Sequence, residues 1–359
     1  MPCSRMPDQN HKMTQSPAAA VRAAGKGTAG WIAACLALFL VVVAALSFGQ
    51  YGVSLPEAFR VVAARLAGTE SGLPTIVDTV VWNVRLPRVL CGLLVGAALA
   101  VSGAVYQGLF RNPLVSPDIL GVSAGSSLGA ICGIFFSLPV LAVQGLSFAG
   151  GLAAVGLVYG IGSAARGRDP MLMLVLAGIA IGALMGACIS LLKVLADPYN
   201  QLPAITFWLL GSLASVTRGD LISILPVMVI GLIPMVLLRW RMNLMTLDDE
   251  EARALGVETG RIRLVLIVAA TLMTSAAVSV SGIVGWIGLL VPHLARALVG
   301  PDFTRLLPAS LLLGAGYLVL MDTLARNAAS IEIPLGILTA AVGAPFFLWL
   351  LVKSARGWA

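Results

Sequence analysis

Residues Arg85–Ala130 read RLPRVLCGLLVGAALAVSGAVYQGLFRNPLVSPDILGVSAGSSLGA. Two arginines open the stretch, and a long apolar run dense in Gly, Ala and Ser follows. A helix needs roughly 20 apolar residues to cross a bilayer, and this run supplies them. Small residues along such a helix let neighbouring backbones approach closely. The run breaks at Arg111-Asn112-Pro113 and restarts as a second apolar segment. The stretch therefore reads as a membrane helix, a polar turn and the start of the next helix.

The same pattern extends outward in both directions. Of 359 residues, 59% are hydrophobic and 11% are charged, against roughly 25% charged in soluble domains. The mean hydropathy is +0.97. These values leave little room for a soluble domain and indicate an all-α polytopic membrane protein. About ten transmembrane helices are expected, near residues 30–48, 86–109, 116–137, 141–162, 171–195, 220–240, 261–281, 284–299, 306–325 and 335–353. Ten spans fit a five-plus-five inverted repeat, with Ser102-Gly103 and Ser281-Gly282 as its sequence echo.

The net charge of +7 is not a nucleic-acid signal, because the basic residues sit singly at the ends of apolar runs. Residues 1–29 are polar and read as a disordered cytoplasmic tail ahead of a transmembrane domain over 30–355. With ten spans the C-terminus returns to the cytoplasmic side. Sixteen of the 23 basic residues then lie on that side, as the positive-inside rule requires of a multi-pass protein of the cell membrane.

Three segments do not span. Residues 49–84 form an outer loop with a short amphipathic piece from Leu55 to Leu66, and residues 196–219 suit a half-helix at the outer face. Residues 241–260 form the longest cytoplasmic loop and hold five of the sixteen acidic residues. Within it, Leu247 to Gly256 reads as a short helix. Thr246 or Asp248 caps it, acids in its first turn suit the positive end of the helix dipole, and Gly256 closes it. Leu247 and Leu255 offer apolar contacts to a partner's groove, with charges for the rim. A solvated loop helix is the plainer reading of the same residues.

Residues with catalytic chemistry are sparse. The five cysteines have no metal-ligand spacing. The two histidines, His11 and His293, join no catalytic constellation, and no G-x-x-x-x-G-K-[ST] motif is present. The chain is thus expected to be no enzyme, to bind no metal or cofactor, and to lack a nucleotide site of its own. Lys193 and Asp322 are the candidate intramembrane charges. Both fall near outer helix ends, where Lys193 can snorkel and Asp322 can pair with Arg326 one turn later. An ion-driven secondary transporter would use them as a relay, but no paired acid–base cluster accompanies them. Arg85, Arg88 and Arg326 stand at outer helix ends. They suit either anchoring to lipid phosphates or docking an acidic partner.

Three stretches resemble one family. They are RLPR through PDILGVSAG, Leu247–Gly256 followed by SVSGIVGWIGLLVPHLAR, and MDTLAR with EIPLGILTAAVGAPFFLWLL. Over about residues 30–355 the chain resembles the permease subunits of binding-protein-dependent ABC importers for iron–siderophore complexes, haem and cobalamin. That resemblance implies a type II importer permease of ten helices working as a homodimer, with the passage between the copies. It implies two separate ATPase subunits that carry ATP and Mg, and a periplasmic or lipid-anchored substrate-binding protein. By position, Leu247, Asp249, Glu250, Arg253, Leu255 and Gly256 would couple to the ATPase, and Arg85, Arg88 and Arg326 would receive glutamates from the binding protein. The fifth and tenth helices and the segment near 197–212 would border the passage. The cargo expected is a bulky metal chelate, iron–siderophore first and haem or cobalamin next. A molybdate- or tungstate-type oxyanion is the alternative within the family.

Overall fold

The computed structural model describes residues 17–49, 51–164 and 170–355. Among these, every regular element is a helix. The long apolar runs become α1 (Pro17–Ser47), α4 (Leu86–Leu109), α6 (Val140–Ala164), α7 (Pro170–Leu195), α9 (Arg218–Leu244), α11 (Thr259–Ser281) and α13 (Phe303–Asn327). Each of these seven contains or continues a stretch long and apolar enough to cross a membrane. Three shorter apolar helices, α5 (Val122–Phe135), α12 (Ile287–Val299) and α14 (Leu335–Ala355), complete the ten expected segments. The connections carry α2 (Leu55–Leu66), α3 (Thr75–Thr79), α8 (Gln201–Leu210) and α10 (Asp249–Ala254). Of the expected tail, residues 1–16 lie outside the described residues, and α1 already begins at Pro17.

Cross-chain bonds fix the direction of each helix. Arg88 in the first turn of α4 reaches Asp322 near the end of α13, so those two run antiparallel. Gln144 at the start of α6 donates to Asp220 at the start of α9. Ser212, just before α9, donates its N–H to the carbonyl of Ser281 at the end of α11. One end of the bundle thus gathers the ends of α1, α7, α11 and α13 and the beginnings of α4, α6, α9 and α14. The opposite end carries α10. Five is an odd number, so the second five membrane helices run opposite to the first five. The third helix of each set, α5 and α12, is the short one.

The packing explains the small residues. A Cβ built on Gly103 in α4 would fall 1.9 Å from the carbonyl oxygen of Gly288 in α12, and one on Gly96 would fall 2.2 Å from that of Gly314 in α13. Backbone therefore touches backbone at both crossings, as membrane helices without a hydrophobic driving force require. Buried side chains of α4 and α11, among them Val101, Val105, Leu266, Ile267 and Ala270, fill the centre.

Several boundaries differ from expectation. The helix expected from residue 86 starts at Thr75 and passes through a π-helical turn, Val80–Arg85, before α4. Pro87 suits a first helical turn and so imitates a beginning. The span expected over 116–137 is broken. A 3-10 turn at Pro117–Leu120 ends in Gly121 at φ +77, and only then does α5 begin. The span expected from 284 begins at Ile287, after Gly282 at φ +65 and Trp286 at φ +73. The Ser-Gly echo is not positional: Ser102-Gly103 lies within a continuous helix, whereas Ser281-Gly282 ends one.

Candidate functional site

At the first end, the sequence places arginines one turn apart at the top of α4 and another in the last turn of α13. The fold brings all three together with their side chains turned inward. Arg85, Arg88 and Arg326 are each 6% exposed or less. Arg85 donates to the carbonyls of Leu46 and Ser47 at 2.7 and 2.8 Å and to that of Tyr51. Arg326 donates to the carbonyl of Ala45 at 3.1 Å and lies 3.2 Å from Asp322. Arg88 is held on two sides. Its Nε and Nη2 donate to Asp322 at 2.9–3.1 Å, and its Nη1 and Nη2 donate to the two oxygens of Glu332 at 2.9 Å each. Each guanidinium finds acceptors within the chain, so none of the three is turned to the surface in this structure. Asp322 pairs with Arg326 as expected, and Arg88 is the partner the reading missed. Cations that do reach the surface here are Arg60, Arg65 and Arg218. Arg218 stacks 4.5 Å above the Trp82 ring.

At the opposite end, α10 is shorter than the expected helix. Asp248 occupies the N-cap position, but its carboxylate accepts from Arg111 at 2.5 Å instead of capping. Asp249 accepts from Arg111 at 2.8 Å and from Arg263 at 3.0 Å. Asp249 is therefore a tie to the turn after α4 and to α11, and faces the body of the protein. Glu250 and Arg253 are exposed, as are Leu247 and Leu255, while Ala252 is buried and seats the helix. Gly256 takes φ +80 and ends the turn. The six residues expected to couple are thus contiguous, five presenting outward and Asp249 inward. Arg111 and Arg263 were missed. Arg111 adopts φ +49, rare for a residue with a side chain, and so reaches both aspartates.

A family model described as the FecCD transport family matches residues 36–353. The chain belongs to the FecCD transport family. It is 39% identical over 324 residues to the molybdate import system permease protein MolB of Haemophilus influenzae, covering 90% of this chain and 95% of that one. It is 42% identical over 289 residues to the cobalamin import system permease protein BtuC of Halobacterium salinarum, covering 80% and 77%. A solved metal-chelate type ABC transporter in an inward-facing conformation superposes with a TM-score of 0.81 at 37% identity, over 90% of this chain and 98% of that one. The chain is an ABC importer permease of multi-pass membrane type. It is not itself an enzyme, and ATP hydrolysis belongs to a separate subunit.

Within this FecCD permease a cavity of about 530 Å³ opens at the arginine end. Ser137, Gln144, Asn200, Gln201, Ser212 and Ser215 supply its polar lining, and Phe207 and Trp208 part of its apolar wall. Its rim is locked where α8 meets the end of α11. A Cβ on Gly211 would fall 2.3 Å from the Ile283 carbonyl oxygen, and Gly211 sits at φ +73, so no other residue suits this crossing. The N–H of Leu335, at the start of α14, donates to the carbonyl of Gly211 at 3.0 Å. No charged side chain lines this cavity among the described residues. A second, smaller cavity of about 270 Å³ lies midway along the bundle, between Asp118, Ser123, Thr274 and Trp286.

Proposed function

We propose that this permease imports a bulky metal chelate, an iron–siderophore complex first and cobalamin or haem next, and that it works as a homodimer with two ATPase subunits. The reading places the arginine end outside and the α10 end, with both termini, in the cytoplasm. A loaded substrate-binding protein docks at the arginine end and delivers cargo toward the vestibule. ATP and Mg bind the ATPase pair, whose closure moves α10 through Leu247, Glu250, Arg253 and Leu255. The Arg111–Asp249–Arg263 clamp passes that motion to α4 and α11. The single observation that carries the substrate class is the vestibule lining. It is neutral, mixed amide, hydroxyl and aromatic, and suits a large ligand held by many weak contacts.

The test is reconstitution of the permease with its ATPase and binding protein in proteoliposomes. ATP-dependent uptake of an iron chelate or corrinoid is the expected result. ATP-dependent uptake by this chain without an ATPase subunit would sink the proposal. The relationship to MolB favours one second reading, import of molybdate or a similar oxyanion. That reading predicts uptake of radiolabelled molybdate competed by tungstate and unaffected by chelates.

A further inference from the structure

We propose that Glu332 is an internal stand-in for the carboxylate that a binding protein brings to Arg88, and that docking exchanges one for the other. This rests on the docking reading given above. Arg88 has two unlike partners. Asp322 is almost wholly buried (3% exposed), lies on α13 and also pairs with Arg326. Removing it would strand two buried cations, so it is a permanent partner. Glu332 sits on the connection between α13 and α14, residues 328–334, and its side chain is 37% exposed. It meets Arg88 by two parallel bonds of 2.9 Å, the fork geometry that any incoming carboxylate would copy. Water can take over a half-exposed carboxylate at little loss, so Glu332 is the exchangeable partner.

Charge points the same way. The three arginines are matched by two carboxylates: Asp322 pairs with Arg88 and Arg326, Glu332 pairs with Arg88, and Arg85 is satisfied by carbonyl oxygens alone. Withdrawal of Glu332 leaves a buried cluster of three cations and one anion, open on the side Glu332 had covered. That is a site for an acidic side chain from a partner protein.

The exchange is wired to the vestibule. The N–H of Ile333, next to Glu332, donates to the Ala325 carbonyl, and that of Leu335 donates to Gly211 at the vestibule rim. The short connection that carries Glu332 thus also carries the contact that joins α14 to the end of α8.

The test measures affinity of the permease–ATPase complex in nanodiscs for the purified binding protein that stimulates its hydrolysis. Glu332→Gln removes the charge and keeps the shape. It should tighten binding about two- to fivefold, the scale of one partly exposed ion pair. In an Arg88→Gln background the same change should give no gain. Unchanged or weaker binding by E332Q, or a gain that persists without Arg88, overturns the exchange while the docking reading stands. Failure of the wild-type complex to bind any such protein overturns both. If E332Q does not assemble, Glu332→Asp, which keeps the charge but shortens its reach, should tighten binding in the same direction and is judged by the same outcomes.

Discussion

Arg88 and Asp322 meet where neither reaches water, so each sets the cost of losing the other. Truncating Arg88 to Ala leaves a buried carboxylate with one cation fewer, and breaking such a pair costs about 3–5 kcal/mol. Thermal unfolding in detergent should show that loss for R88A. An R88A protein as stable as wild type would refute the burial. Asp302 offers a pH test at the other end. It caps α13 by accepting the N–H of Thr304 at 2.9 Å. That bond first, then the Thr304 hydroxyl and the Asn243 amide, hold its carboxyl below the usual range. The folded value is the lower one, so its stabilisation is complete above the ordinary carboxylate value and is lost as pH falls through the folded value. The stability gap between wild type and Asp302→Ala should therefore shrink on acidification, and a gap that widens would refute it. These arginines were legible as a cluster because they mark helix ends. Their inward turn was not, because Glu332 lies 244 residues from Arg88 and no local pattern links the two.

Helices succeed or fail here at their crossings and their ends. Gly103→Ala puts a methyl group into the Gly288 backbone, an overpacking whose typical cost is about 1–3 kcal/mol. Gly156 in α6 has nothing within 4 Å of its would-be Cβ, so Gly156→Ala should be neutral or raise stability by up to about 1 kcal/mol. The contrast between the two melting temperatures checks the crossing, and equal shifts would contradict it. At α10, Asp249→Asn weakens the bonds to Arg111 and Arg263 without changing the outward face. It should still insert and bind ATPase, yet transport fewer substrate molecules per ATP hydrolysed. An unaltered ratio of uptake to hydrolysis would remove the clamp from the coupling path. All ten apolar helices were legible from their hydropathy. The breaks before α5 and α12 were not, because a re-entrant turn plus a short helix is as apolar as one continuous span. Pro117 with Gly121, and the capping pair Thr217 and Asp220 at the start of α9, were the local signals available.

Across the whole molecule, the crossings of α4 are tight and the cavity of about 270 Å³ beside them is small. α4 and α11 are lined with fully buried side chains and crossed by backbone contacts at Gly96 and Gly103. Backbone contact at these crossings leaves no open route through the bundle for a ligand the size of a metal chelate. The larger cavity is a vestibule at one end, walled by α8, the α5–α6 turn and the end of α11, and not a tunnel. A cargo of the proposed size would therefore travel along an outer face of the bundle, and an apolar face exposed to lipid cannot serve as a passage for a polar solute. A second copy facing the first converts that surface into an enclosed one. The permease–ATPase complex should accordingly contain two permease chains, measured by native mass spectrometry from nanodiscs. Complexes holding one permease chain should hydrolyse ATP without uptake. Uptake by such a single-permease complex would require a route through the bundle that the packing of α4 and α11 closes.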